Sequence, residues 1–198
     1  MTRRDWIVLS SIAAVPGPLA AIGEGFQYPP VESLKSKVTL DKVTIGVQPF
    51  STAELTAKVF GKVDPNKYEV LPVLLGIKNE RAGALRCAPL DLQYIVPGLG
   101  KVEALAPDEV LYAGDAPSRP NLGPRPLPLP RRKKKNPLSA PEIEGKAFAA
   151  KMIAAGDVAY GFVYFNVKHR ANAKFYLSGL VDASTQQALF YFEIPFEE

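Results

Sequence analysis

Cys87 in "LRCAPL" and His169 in "VKHRAN" are the single cysteine and the single histidine of a 198-residue chain. One thiol excludes an intramolecular disulfide, a CxxC redox pair and a thiolate zinc cluster, and one imidazole adds no second soft ligand for a metal. A Cys–His nucleophile and base is the formal pairing left. The simpler reading makes Cys87 a small buried hydrophobe and His169 a polar loop residue. The carboxylate pairs Asp108–Glu109, Glu142–Glu144 and Glu197–Glu198 fall in loops, at a helix start and at the terminus. General acid–base work needs carboxylates in unlike environments, and adjacency does not supply that. There is no GxGxxG or GxxxxGK[ST] phosphate loop and no GxSxG elbow,. The expectation is therefore a protein that is not an enzyme, with no catalytic residue, no cofactor and no metal.

The strongest local signal is a charge run. In "GPRPLPLPRRKKKNPLSAPE", Gly123 to Glu142, prolines at 124, 126, 128 and 130 favour extended polyproline II and forbid helix,. Of the PxxP spacing read by SH3-type grooves only Pro117 and Pro120 provide an instance. Arg131, Arg132, Lys133, Lys134 and Lys135 follow, and these five account for more than the whole formal net charge of +4. The basic character thus belongs to one run and not to the folded body. Such a run repels itself, stays solvated, and attracts polyanions by counterion release without sequence readout. Arg131 to Lys135 are the candidate polyanion-binding residues.

A second motif fails on inspection. "YGFVYFNV" matches the RNA-recognition octamer at Gly161, Phe162 and Tyr164 but not at Tyr160, Val163, Phe165 or Val167,. An RNA platform shows one aromatic face to solvent, whereas this segment is apolar on both faces. It reads as a core strand.

The N-terminus reads as an address. "MTRRDWIVLSSIAAVPGPLAA" has a positive head, an apolar run from Trp6 to Val15, a Pro-Gly-Pro break and small residues at Ala20 and Ala21. That is the layout of a cleavable export signal, too short to span a bilayer. Thr2, Arg3 and Arg4, with Trp6 and Ile7 in the Phe and Leu places, resemble a twin-arginine signal; Val8 departs from the usual Lys. A periplasmic or cell-envelope location in a bacterium is implied, and nucleic acid is then out of reach.

The elements that must carry any site alternate in strand fashion. "KVTLDKVTIGV" changes phase at Asp41–Lys42, which predicts a bulge or tight turn. "STAELTAKVFG" predicts a short helix capped by Ser51, with Glu54 closing the capping box and Gly61 stopping it. "EVLPVLLGIKNE" is apolar on both faces, an interior strand whose Pro72 must fall at its start or at an edge. "LRCAPLDLQYIV" predicts a strand with Leu90, Leu92, Tyr94 and Val96 inward and Asp91 and Gln93 outward, and "EVLYAG" a further short strand. "SAPEIEGKAFAAKMIAAG" predicts a second helix, from a Ser139–Glu142 capping box to Gly156. "VAYGFVYFNV", "AKFYLSGLV" and "ALFYFEIPF" close the chain as strands, the last two as a hairpin around "DASTQQ",.

About seven strands result, enough for an immunoglobulin-like β-sandwich. The expected class is mainly β, with one or two short helices and a long Pro-rich basic loop. The expected divisions are an export signal over 1–21, a flexible segment over 22–36 and the first part of the sandwich over 37–114. A disordered Pro-rich basic loop over 115–139 and a helix with the completing strands over 140–198 follow. The order of "VLPVLLGIKN" early and "GFVYFNV…LFYFEIPF" late resembles uncharacterised exported bacterial proteins with an immunoglobulin-like sandwich that carry a similar "G-hydrophobic-PV…I-N" strand. The resemblance covers roughly residues 38–112 and 157–196; Glu69 and Val70 stand where that family has a glycine and an aliphatic residue. It implies fold and export and brings no activity or site. Two functional readings follow. In one, an exported, non-enzymatic sandwich binds a protein or an envelope component such as anionic lipid or polysaccharide, with the basic loop as electrostatic tether. In the other, Arg131–Lys135 is the principal site of a polyanion binder, with nucleic acid as ligand only for a protein that stays in the cytoplasm.

Overall fold

The structure is a computed structural model that describes residues 26–98, 100–113, 136–139 and 141–197. The expected export signal and the Arg131–Lys135 run lie outside the described residues.

Strand β1 (Ser36–Leu40) meets β2 (Val43–Pro49) through a two-residue turn in which Asp41 and Lys42 have φ of 49° and 59°. Two left-handed residues match the twist of a hairpin, so the phase change in the sequence is a tight turn and not a bulge. Helix α1 (Ala53–Phe60) follows. Its cap is Thr52, one residue later than expected: the Thr52 side chain accepts from the Leu55 N–H, and Gly61 at φ 62° ends the helix,.

The remaining elements are β3 (Leu71–Asn79), β4 (Leu85–Arg86), β5 (Asp91–Val96), β6 (Gly100–Leu105), α2 (Pro141–Gly145), β7 (Met152–Ile153), β8 (Val158–Phe165), β9 (Lys174–Ser178), β10 (Val181–Asp182) and β11 (Phe192–Pro195). Eight strands form one sheet in the order β1-β2-β3-β8-β6-β5-β9-β11, and each neighbouring pair is antiparallel. The sheet curls until β1 and β11 lie side by side, and the Glu197 N–H donates to Ser36 Oγ at 2.8 Å across the seam. The mainly β class holds. In place of two facing sheets of about seven strands there is one eight-stranded sheet, nearly closed into a barrel. A small sheet, β10-β4-β7, adds Leu85 and Ile153 to the barrel core.

β3, and β8 from Gly161 to Phe165, are buried on both faces, as the sequence of β3 predicts. Leu71, Val73, Leu75, Ile77, Val163 and Phe165 point into the barrel; Leu74, Phe162 and Tyr164 point out into a second cluster with Phe50, Val59 and Phe60. The Phe162 ring meets Phe50 and Phe60 nearly edge-on, at centroid distances of 5.0 and 5.2 Å. Burying each such side chain contributes about 1.5–3 kcal/mol. Pro72 is the second residue of β3. Its carbonyl accepts the Phe50 N–H at 2.8 Å, while its ring offers no donor in return, and Asn66 Nδ2 supplies one to the Phe50 carbonyl at 2.8 Å,.

In the segment ahead of β1, Val31 and Leu34 are buried. Val31, fully buried, lies over Gly76, where an added Cβ would come within 2.8 Å of Val31 Cγ2. "EVLYAG" forms a 3-10 turn at Val110–Tyr112 in place of a strand. "LRCAPLDLQYIV" divides into β4 and β5 around Ala88–Pro89. Asn136 and Leu138, inside the expected loop, are packed: Asn136 Nδ2 donates to the Leu111 carbonyl at 2.7 Å and Leu138 is buried in the outer cluster.

The second helix stops at Gly145. From there the chain runs extended, with Phe162 donating to the Lys146 carbonyl and accepting from the Phe148 N–H. The helical stripe of Phe148, Met152 and Ile153 yields to this docking because Gly161 leaves room for it: a Cβ there would stand 2.3 Å from Phe148 Cα,. Gly161→Ala is therefore expected to lower unfolding stability by about 2 kcal/mol or more. Urea denaturation of the two proteins side by side checks this, and an unchanged midpoint would refute the docking.

Candidate functional site

Among the described residues the barrel interior is occupied by large buried side chains, among them Tyr94, Phe165, Phe175 and Phe192. What remains are crevices and faces on its outside.

Cys87 and His169, the pair the sequence raises, line different crevices. Cys87 borders an apolar one of ≈ 400 Å³ with Leu92, Leu105, Phe148 and Phe162. Cys87 is 3% exposed, and burial pushes its thiol up to about 11. A buried thiol with a raised pKa is a poor nucleophile at neutral pH. His169 borders a crevice of ≈ 510 Å³ with Lys35, Ser36, Gln48 and Glu197. Its Nδ1 lies 2.9 Å from the Tyr94 hydroxyl, which also accepts the Arg170 N–H at 3.0 Å. Burial raises the Tyr94 pKa, so the phenol keeps its proton,, and the direction of its hydrogen bond with Nδ1 follows the imidazole tautomer. The imidazole also stands edge-on to Phe196. These contacts give His169 the work of fixing the chain after β8. In the native protein Cys87 is expected to resist iodoacetamide at pH 8 and to react fully in urea; rapid native labelling, read by mass spectrometry, would contradict its burial.

The charges nearest to a cluster lie around Asp182. Its carboxylate accepts the N–H groups of Ser184 and Thr185 at 2.9 and 3.0 Å, the Ser184 hydroxyl at 2.5 Å and Arg81 Nη2 at 3.0 Å. Arg81 Nη1 reaches Asp41 in the β1–β2 turn. The clip ties the small sheet to the barrel. Among the described residues no group of three or more His, Cys, Asp or Glu is placed to hold a metal ion. The Ser184 hydroxyl first, then the Thr185 and Ser184 amides and Arg81, hold the Asp182 pKa far below its usual value. A lowered folded pKa stabilises the fold above the unfolded value of about 4 and loses that contribution as the pH falls below it. Stability is thus expected to drop from pH 5 to pH 2.5, and less steeply in Asp182→Asn. Equal slopes in urea titrations would remove Asp182 as the cause.

The outer face of β5, β9 and β11 is of another kind. Tyr94, Phe175, Leu177, Phe192 and Ile194 turn inward, so by the strand period of two their neighbours turn out,. Cross-strand register sets Glu103, Gln93, Tyr176 and Glu193 in one row, and Asp91 and Ser178 in the next. Tyr191 continues that second row and stacks on Tyr176, with centroids 5.6 Å apart and planes at 23°. Tyr191 is 58% exposed and the adjoining Phe190 76%. The sequence reading gave the closing strands much of the aromatic content without assigning their faces. The alternation in "KFYLS" and "YFEIP" was the signal that separates them.

Compared with models of known protein families and with curated proteins, the chain matches none. The likeness to exported immunoglobulin-like proteins therefore rests on the residues of the two segments alone. The fold and its surfaces define a mainly β protein with a packed barrel and one solvent-facing aromatic sheet face.

Proposed function

We propose that this is an exported, non-enzymatic binding protein that docks to a component of the bacterial cell envelope through the outer face of β9 and β11. One observation carries the reading: Tyr191, 58% exposed, stacks on Tyr176 of β9 on the outside of a barrel whose interior is occupied by its own side chains, and Phe190, next to it in the chain, is 76% exposed. Large aromatics are normally buried, and where they cluster on a surface they mark a binding site. The signal-like residues 1–21 support export. Arg131 to Lys135 serve as an electrostatic tether to anionic lipid or polysaccharide, secondary to the face.

The test is retention of the purified full chain on isolated bacterial envelopes. Tyr191→Ala combined with Phe190→Ser is expected to reduce retention at least tenfold with an unchanged melting temperature. Replacing residues 131–135 by serine should weaken retention only in part, and more at low salt than at high. If that replacement alone abolishes retention while the aromatic changes do nothing, the protein is a polyanion binder through the basic run.

A further inference from the structure

The chemistry of the face narrows its partner. Tyr176 and Tyr191 form a nearly parallel, offset pair, and Tyr191 is the more open ring. An exposed ring of this kind offers a flat, apolar, electron-rich surface with little conformational freedom to lose. Around it, on the same face, stand groups suited to hydroxyls. Gln93 Nε2 donates to both Asp91 oxygens at 3.0 Å, which fixes that carboxylate in place. Each carboxylate oxygen has two lone pairs, so Asp91 can still accept from hydroxyl donors. Ser178 lies opposite Asp91 in the register, and Glu193 with Lys174, paired at 3.0 Å, completes the rim.

A flat apolar ring edged by planar acceptors and donors complements a pyranose, whose C–H face is apolar and whose equatorial edge carries hydroxyls. A protein surface partner calls instead for a wide apolar core with a polar rim, and here the apolar part is narrow while charged groups adjoin it. A polyanion calls for cations in excess, and Lys174 is already matched by Glu193. We infer that the β5-β9-β11 face is a glycan-binding surface that takes the pyranose units of an envelope polysaccharide, with Tyr191 as the stacking platform, Tyr176 as its brace, and Asp91 as the hydroxyl acceptor. This rests on the reading of the protein as an envelope binder.

The experiment uses the full chain and two probes: intact bacterial envelopes, and the insoluble cell-wall polysaccharide left after hot-detergent extraction and protease digestion of the same envelopes. Retention on both is expected. On the polysaccharide, Tyr191→Ala and Asp91→Ala should each weaken it at least tenfold, and Tyr191→Trp should preserve it because the ring is kept. Intrinsic tyrosine fluorescence, compared before and after addition of soluble fragments of that polysaccharide, should change in the wild type and not in Tyr191→Ala. Retention on intact envelopes but not on the digested polysaccharide would overturn the glycan assignment and leave a protein partner, with envelope binding intact. Retention on neither probe would overturn both. Retention on the polysaccharide that is indifferent to Tyr191→Ala and Asp91→Ala, in variants with wild-type melting temperature, would place the site elsewhere and overturn the assignment to this face.

Discussion

Two adjacent strands, β3 and β8, are apolar on both faces, and most of the architecture answers that constraint. Leu71, Val73, Leu75 and Ile77 of β3 and Val163 and Phe165 of β8 need an interior, which the curling of the sheet provides. Leu74, Phe162 and Tyr164 need a cover on the other side. A sheet with both faces apolar is stable only when both are covered. The cover is assembled from distant pieces: α1, the turn at Val31–Ser33, Leu138 and Ile143. Gly76 leaves room for the Val31 side chain, and Gly161 for the backbone of Phe148.

The same constraint distributes the surfaces available for function. The β3–β8 side of the barrel is spent on its own packing. The interior is spent as well, since large side chains such as Tyr94, Phe165 and Phe175 fill it. On the outer side of β5, β9 and β11, Asp91 and Glu193 are exposed, Tyr176 is half-buried and Gln93 buried beside it, with Ile95 and Pro195 in the neighbouring row. Binding through that face asks no rearrangement of the core. The buried thiol of Cys87 and the imidazole of His169, held by Tyr94 and Phe196, belong to the packed parts.

Periodicity made the interior legible. The doubly apolar run of β3, the phase change at Asp41–Lys42 and the pairing of β9 with β11 follow from alternation and turn chemistry,. What sequence could not show was long-range. The helical stripe from Phe148 to Ile153 is a real local preference, but the edge of β8 at Phe162 offers backbone hydrogen bonds that an isolated helix does not have to compete with. Sheet closure likewise depends on where β1 meets β11, a contact spanning nearly the whole chain, as Ser36 and Glu197 show. The aromatic face was half legible: alternation places Tyr176 and Tyr191 on the side opposite Phe175 and Phe192, but only the folded chain leaves Tyr191 exposed.

The most direct measurement is amide hydrogen exchange of the full chain, followed by mass spectrometry, in the presence and absence of soluble fragments of the envelope polysaccharide. Slowed exchange is expected in peptides covering Lys174–Ser178 and Phe190–Pro195, with peptides from β3 and β8 unchanged. Slowed exchange confined to peptides around Arg131–Lys135, with β9 and β11 unaffected, would contradict the assignment of the binding face.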